Sequence, residues 1–436
     1  MICTLANSAW LAGCLPELAR FRRAIGNVRE EQEKILRRLV PSVRNVQHYR
    51  ESFPISDRIP VPEDTKLLQP TSGSSGATKL IPYTDALQRE FQRGIRAWIA
   101  DLFLEDPQLM RGPAYWSVSP PVPTKNGVGF DDDSAYVGGW QRKLVNAVML
   151  RTREELIRER ELRLISVWNP TFLSILADGL DPQKFWPKLR LISCWTDANA
   201  AAPAARLAAM FPHARMQGKG LIATEGFISL PLSGHEGSAL AIRSHFLEFA
   251  PVGGNETLLA HELDRGQQYE VVVTTGGGLR RYPLKDVIEV VGRVKQCPLI
   301  RFVGRQMVSD WFGEKLSEAF VATVLRDELP AASFAMLACD PKIPAYVLFV
   351  DGEMPSQARI ETRLRENFHY DYARFRGQLQ ELRVAHVPHA GEIYQQFCVR
   401  NGMKAGDVKP LALERRAARE IFPSYSSSSV LPIRNT

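Results

Sequence analysis

Residues 69–84 read QPTSGSSGATKLIPYT, so that glycine, serine and threonine crowd ahead of a single lysine, Lys79. Short apolar runs at 66–68 and 80–83 flank this stretch and read as strands. A loop of this kind holds phosphate: its hydroxyls donate to phosphate oxygens, Gly73 and Gly76 let backbone N–H groups approach, and Lys79 adds a positive charge. A Walker loop needs glycine directly before its lysine and Ser or Thr after it. Here Ala77 and Thr78 intervene and Leu80 follows, which excludes a Walker NTPase. A flexible Gly/Ser linker shares the composition, but strands on both sides and a helix beyond argue for a structured nucleotide loop.

The remainder of the chain must supply a scaffold, and its size allows one. A chain of 436 residues with 45% hydrophobic content buries a large core and divides into two or three domains. Its 55 Lys and Arg outnumber 48 Asp and Glu only thinly, and no arginine-rich arm or zinc-finger spacing accompanies them, so nucleic acid is not expected as a partner. The mild positive balance suits anionic substrates. Six cysteines at 3, 14, 194, 297, 339 and 398 form no CxxC pair, which fits a reducing compartment, the cytoplasm, better than a zinc site or a disulfide framework. No apolar run approaches the length of a membrane span. The LAGC at 11–14 resembles a lipoprotein cleavage box, but no basic residue precedes it, and an N-terminal helix is the expectation.

Periodicity orders the elements. Val28, Ile35, Leu36 and Leu39 predict a helix closed by Pro41. After Lys79, Asp85 and Gln88 have the spacing of a helix cap, with Leu87, Phe91, Ile95, Trp98 and Leu102 on the inner face. Strand candidates at 115–119, 164–168 and 189–194 alternate with helices at 153–162 and 200–210, the mark of an α/β domain. Strands then follow closely at 239–249, 257–263, 269–275 and 287–291, predicting an attached antiparallel or barrel-like sheet. Past Arg305 come a helix at 314–329, strands at 333–339, 345–350 and 382–387, and a second helix at 360–368. The predicted fold class is therefore α/β: a large N-terminal domain over 1–305 with the β-barrel-like sheet, a small mobile α+β domain over 306–420, and a tail over 421–436 expected to fray.

Further polar residues sit where a nucleotide site needs them. Thr224 and Glu225 end an apolar run, where Glu225 can hold Mg²⁺ beside phosphates or simply occupy a surface turn. In GGLRRYPLKDV, at 277–287, Asp286 offers two oxygens to the two ribose hydroxyls; a solvated strand-end acid has the same appearance. Gly304 of FVGR is placed to act as a hinge. Lys315 in GEKLSE can neutralise an α-phosphate, although a lysine between two glutamates ordinarily lies on a solvated face. Lys409 is a second loop lysine, ahead of Pro410. His386 and His389 are separated by Pro388, against a helical metal pair, and neither GxSxG nor GxGxxG occurs.

Taken in order, TSGSSGATK, KGLIATEGF, GGLRRYPLKDV, FVGR and GEKLSE resemble the Gretchen Hagen (auxin-responsive promoter) family of acyl-acid amido synthetases, above all its bacterial members, within the adenylate-forming, firefly luciferase-like superfamily. The resemblance runs from the first helix to Lys409. It implies that Thr71, Ser72, Gly73, Ser74, Ser75, Gly76 and Lys79 are the phosphate loop, Thr224 and Glu225 the second nucleotide motif, Asp286 the ribose acid and Lys315 a nucleotide-contacting lysine after the hinge. Arg305 joins the nucleotide contacts, and Lys409 corresponds to a C-terminal lysine, its flanking VKPLAL matching only in part. Two departures stand out: the region before the loop is short, and Pro283 and Lys285 occupy positions where the family commonly has other residues.

The implied activity follows from the chemistry of carboxylates, which are poor electrophiles with a poor leaving group. Joining the acid to AMP from Mg-ATP cures both faults, and an amino acid can then take the acyl group as an amide. ATP and Mg²⁺ are the expected cofactors and a small carboxylic acid and an amino acid the expected partners, while the oligomeric state is open, a monomer being one option. Trp116 and Trp168 are candidates for the acyl pocket, though buried tryptophans more often serve as core. An acyl-CoA ligase and a silent adenylate-binding scaffold are the alternatives.

Overall fold

The computed structural model describes residues 2–70, 79–116, 139–254, 256–305, 308–309, 311–312, 314–375 and 377–425. The chain divides into two compact units, the first made of 1–168, 173–195 and 210–302, the second of 169–172, 196–209 and 303–436.

A five-stranded parallel sheet carries the α/β part of the first unit. Its strands run in the order Met149–Leu150, Ala114–Trp116, Leu164–Ser166, Leu191–Cys194 and Arg215–Gly218. LIS at 164–166 and LISC at 191–194 are buried at every position, the continuous apolar run that parallel strands require. A seven-stranded sheet follows, ordered Ser229–Pro231, Ser238–Leu240, Cys297–Arg305, Tyr282–Val294, Gln268–Thr274, Phe246–Pro251 and Leu258–Leu259. The pairings of Gln268–Thr274 with both its neighbours are antiparallel, as the closely spaced strand signals predict. The strand expected over 239–249 is broken in two. Ala241 N donates to Ile228 O at 2.8 Å and Ser244 N to Ala241 O at 2.8 Å, turning the chain between Ser238–Leu240 and Phe246–Pro251.

Two helices frame this unit. Ile2–Ala24 takes Trp10, Cys14, Leu18 and Phe21 into the core, so the cysteine of LAGC is a buried helical residue. Asp85–Glu105 buries Leu87, Phe91, Ile95, Trp98 and Leu102, as its periodicity predicts. Its cap is Thr84, one residue before the expected Asp85: the threonine hydroxyl accepts from Leu87 N at 3.2 Å. Asp85 lies instead in the first turn and pairs with Lys66 at 2.6 Å across two exposed side chains.

The second unit holds a four-stranded sheet ordered Arg383–His386, Ala345–Asp351, Phe334–Asp340 and Leu413–Glu414, antiparallel at its centre and parallel at both flanks. Alternation along the central strands divides the core between two faces. Leu337, Cys339, Tyr346, Leu348 and Val350 join the cluster that includes Val321, Leu325 and Ile360, whereas Phe334, Met336, Ala338, Val347 and Phe349 join that of Tyr394, Cys398, Ile421 and Phe422. The helix expected over 314–329 begins later, at Glu318. Ser317 caps it, and Leu316–Ser317 pairs with Val308–Ser309 as a short strand. Of the tail expected to fray over 421–436, Ile421, Phe422 and Tyr425 are buried, and 426–436 lie outside the described residues.

Candidate active site

The strands Leu67–Pro70 and Leu80–Tyr83 pair antiparallel from Leu67 opposite Tyr83 to Pro70 opposite Leu80. Thr71, Ser72, Gly73, Ser74, Ser75 and Gly76 lie between them and outside the described residues. Lys79 stands at the return of the loop. Its Nζ donates to the Tyr282 hydroxyl at 2.7 Å and lies 5.2 Å from the ring centroid. The hydrogen bond from Lys79 to Tyr282 raises the lysine pKa against a desolvation that lowers it, and the charges of Glu225 and Asp57 raise it further. Burial pushes the Tyr282 phenol up, with Lys79 pulling it back.

Glu225 reaches this cluster from a third segment. Ile222–Ala223 pairs with Gly226–Phe227, leaving Thr224 and Glu225 as the two-residue turn of a hairpin, and both are half-buried. The turn reading of the sequence is correct for the backbone, and the carboxylate nevertheless acts on Lys79 and Tyr282. Lys79 and Tyr282 are therefore in direct contact, with the charge of Glu225 acting on both.

The backbone around Tyr282 is held from behind. Arg281 adopts a left-handed φ of 43°, and its Nε donates to Glu248 at 2.9 Å while its Nη2 donates to Thr257 at 2.9 Å. Glu248 also accepts from Arg50 at 2.8 Å, and the Arg281 amide donates to Thr274 Oγ1 at 3.1 Å. With Arg281 locked inward, the next side chain, Tyr282, is aimed at Lys79. Farther along the strand, Glu270 pairs with Val287 but Val272 with Pro283, so Leu284, Lys285 and Asp286 form a bulge, with Lys285 at φ 62°. Asp286 is buried there at 1% exposure, beside Glu270, so it is not a solvated strand-end acid. Burial raises the Glu270 pKa; the nearby Lys285 lowers it and the Asp286 charge raises it.

Three candidate residues belong to the second unit. The Arg305 amide donates to Glu318 Oε2 at 2.6 Å. A methyl group at Gly304 would clash with that carboxylate and lie 3.0 Å from Ala319 Cα, so glycine here permits a close approach of the helix. Lys315 is exposed and left-handed at φ 40°, ahead of the helix and not on its face. Its neighbours are not solvated: Glu314 is wholly buried and accepts from Trp311 N at 2.8 Å and Phe312 N at 2.7 Å, and Glu318 is 3% exposed. Lys409 is half-buried, following Val408, whose carbonyl accepts from Asn169 Nδ2 at 2.7 Å.

The two tryptophans differ in role. Trp116 is core, packed on Trp10 and Trp98 with centroids 6.1 and 6.3 Å away. Trp168 is half-buried just past the strand Leu164–Ser166, and Lys219 Nζ lies 4.7 Å from its ring and 2.7 Å from Ser166 Oγ. Ligands of open α/β sheets bind at this carboxyl end of the strands.

Sequence reasoning passed over Tyr282, Glu90 and His245. Tyr282 stood inside a motif whose acid drew attention first. Glu90 had a visible signal, an acid three residues after Leu87 on the apolar stripe of a helix; it is 2% exposed. His245 had none, since its partner lies 155 residues away.

The chain matches the GH3 family central domain over residues 238–305, which hold Tyr282 and Asp286. It is 31% identical over 160 residues to a GH3 domain-containing protein of Homo sapiens, covering 31% of this chain and 29% of that protein. It is 29% identical over 107 residues to a probable indole-3-acetic acid-amido synthetase GH3.1 of Arabidopsis thaliana, covering 24% of this chain and 18% of that one. The matched stretches span less than half the length of these curated relatives. In three dimensions the chain is similar to a GH3.15 acyl acid amido synthetase solved in complex with 2,4-DB, with a TM-score of 0.75 at 16% identity over 97% of this chain and 96% of that chain, a likeness of fold. The chain thus shares the GH3 family central domain in sequence over 238–305 and, along its length, the fold of a GH3 acyl acid amido synthetase.

Proposed function

We propose that the protein is an ATP-dependent ligase that adenylates a carboxylic acid and transfers the acyl group to an amino acid. A carboxylate oxygen attacks the α-phosphorus of ATP and pyrophosphate leaves; the amino nitrogen then attacks the acyl carbon, loses a proton, and AMP leaves. The observation that carries this reading is the contact of Lys79 with Tyr282, within reach of the Glu225 charge, beside the strands that bracket the Gly/Ser/Thr loop. Lys79, whose pKa the bond to Tyr282 raises, is a cation at neutral pH, as a phosphate contact requires.

Mg²⁺ bridging substrate phosphates needs only one or two protein carboxylates, and Glu225 supplies one; among the described residues there is no group of three or more metal-binding side chains. When bound, the ion would neutralise phosphate charge. Thr71 to Gly76 would cradle the phosphates, Thr224 and Asp286 would hold the nucleoside side, and Arg305, Lys315 and Lys409 are offered as further nucleotide-contacting residues. Trp168 with Lys219 is offered as the acyl-side wall. The six free thiols favour the cytoplasm, and no described helix is long and apolar enough to cross a membrane.

Pyrophosphate release from Mg-ATP, measured with a panel of aryl and alkyl acids with and without amino acids, tests this reading. Acid-dependent release that is lost in Lys79→Ala, with an amide as product, is expected. A thioester formed with coenzyme A in place of the amide would assign the acyl-CoA ligase, and ATP binding without release from any acid would favour the silent scaffold.

A further inference from the structure

Lys79, Tyr282 and Glu225 come from three separate segments, and a buried pair, Glu90 and His245, links the elements that carry them. His245 Nδ1 lies 2.8 Å from Glu90 Oε2, and His245 Nε2 accepts from Phe227 N at 2.9 Å. A ring nitrogen that accepts carries no proton, so Nδ1 holds it and donates to Glu90. Both Glu90 oxygens in turn accept from Gly276 N, at 3.1 and 3.0 Å. Both side chains are buried among apolar groups such as Phe91 and Phe227.

Each end of this chain of hydrogen bonds is at the candidate site. Phe227 is two residues from Glu225 in the hairpin, and Gly276 begins the glycine turn that leads to Tyr282. Glu90 itself rides the helix Asp85–Glu105, whose cap Thr84 also donates to Gly276 O at 2.9 Å and stands five residues past Lys79. Two glycines make room for the pair. A methyl group at Gly276 would lie 2.7 Å from Glu90 Oε1, and one at Gly226 would lie 3.2 Å from His245 Nε2.

We infer that Glu90 and His245 are positioning residues that set Glu225 against Lys79 and Tyr282, and so govern nucleotide binding and the adenylation step rather than acceptance of the amino acid. This rests on the nucleotide site proposed above. Glu90→Gln replaces one of the two acceptor oxygens by N–H₂, which faces the Gly276 N–H from the Oε1 position and both Gly276 N–H and His245 Nδ1–H from the Oε2 position. If its N–H₂ turns toward the ring, the imidazole must shift its proton to Nε2 and lose the bond from Phe227.

Glu90→Gln and His245→Gln should each weaken ATP binding about tenfold by calorimetry and raise KM for ATP in pyrophosphate release, with KM for the amino acid unchanged. Thermal unfolding, read on the same samples, should shift by far less than a loss of binding through misfolding demands. Glu105→Gln, on the same helix but bonded to Arg215 at 2.6 Å, should leave both readouts at wild-type values. Unchanged ATP affinity in folded Glu90→Gln and His245→Gln would overturn the inference, as would a parallel rise in KM for ATP and amino acid. Calorimetry reads ATP binding without turnover, so a wild type that binds ATP but releases no pyrophosphate would sink the ligase reading while leaving this one decided by the variants.

Discussion

Lys79 and Tyr282 stand 203 residues apart in sequence and meet at 2.7 Å through ammonium and phenol. Their contact fixes where the charge of Lys79 sits and raises the pH to which that charge persists. Tyr282→Phe keeps the ring and removes the oxygen, so the lysine pKa falls back toward its ordinary value. KM for ATP should rise by about fivefold, the scale of one modest hydrogen bond. The alkaline limb of the pH–rate profile should move to lower pH, because a raised lysine pKa holds the cation until pH climbs through it. A limb that stays in place would show that Lys79 does not carry the profile.

Behind that contact, Glu248 sits between two arginines, 1% exposed. Glu248→Ala would strand Arg281 and Arg50 without their carboxylate, at a cost of about 3–5 kcal/mol. Urea unfolding should report that loss. A double-mutant cycle with Thr257→Val should show coupling, since Thr257 bonds both Glu248 and Arg281.

Tyr49 lies on the same network, its hydroxyl 2.6 Å from Thr274 Oγ1. Burial pushes its phenol up to about 12 from an ordinary 10.0. A raised pKa in the folded state contributes stability that is complete below the unfolded value and disappears as pH rises through the folded one. Wild-type stability should therefore fall between pH 10 and 12 by roughly 2–3 kcal/mol more than that of Tyr49→Phe. Melting temperatures for the two proteins across this range check the difference, and parallel curves would remove Tyr49 from the account.

In the second unit Phe422 stacks on Phe349 with centroids 4.2 Å apart, and Tyr425 meets the same ring edge-on at 5.3 Å. Phe422→Ala should cost about 3–5 kcal/mol through the lost burial and the cavity it leaves. Removal of every residue after Glu420 should cost more, because Ile421 and Tyr425 go as well. A truncated protein that melts with the wild type would contradict the packing described for this segment.

Local chemistry made much of this legible in the sequence. The helix Asp85–Glu105 declared its buried face, and three of the five parallel strands were legible as short, largely apolar runs, whereas Met149–Leu150 and the polar Arg215–Gly218 were not. The cap expected at Asp85 is made by Thr84, a difference of one position that composition cannot resolve. Lys315 and its glutamates show the larger difficulty. A charged triplet reads as a solvated face until the fold supplies buried donors, here the amides of Trp311 and Phe312 for Glu314 and that of Arg305 for Glu318. The Glu90 and His245 pair was invisible for the same reason, its bonds being made only when distant segments meet.

The second unit is assembled from three stretches of chain, 169–172, 196–209 and 303–436. During synthesis the two short stretches leave the ribosome with the strands of the parallel sheet, long before the sheet around Phe334–Asp340 exists to receive them. Completion of this unit is accordingly a late event, finished when Leu413–Glu414 pairs beside Leu337 and Val408 accepts the Asn169 amide. The same interleaving limits how evolution can shuffle the pieces. A recombination joint near residue 303 would deliver the C-terminal sheet without two of its own segments, so a functional exchange between relatives has to move 169–172 and 196–209 along with it.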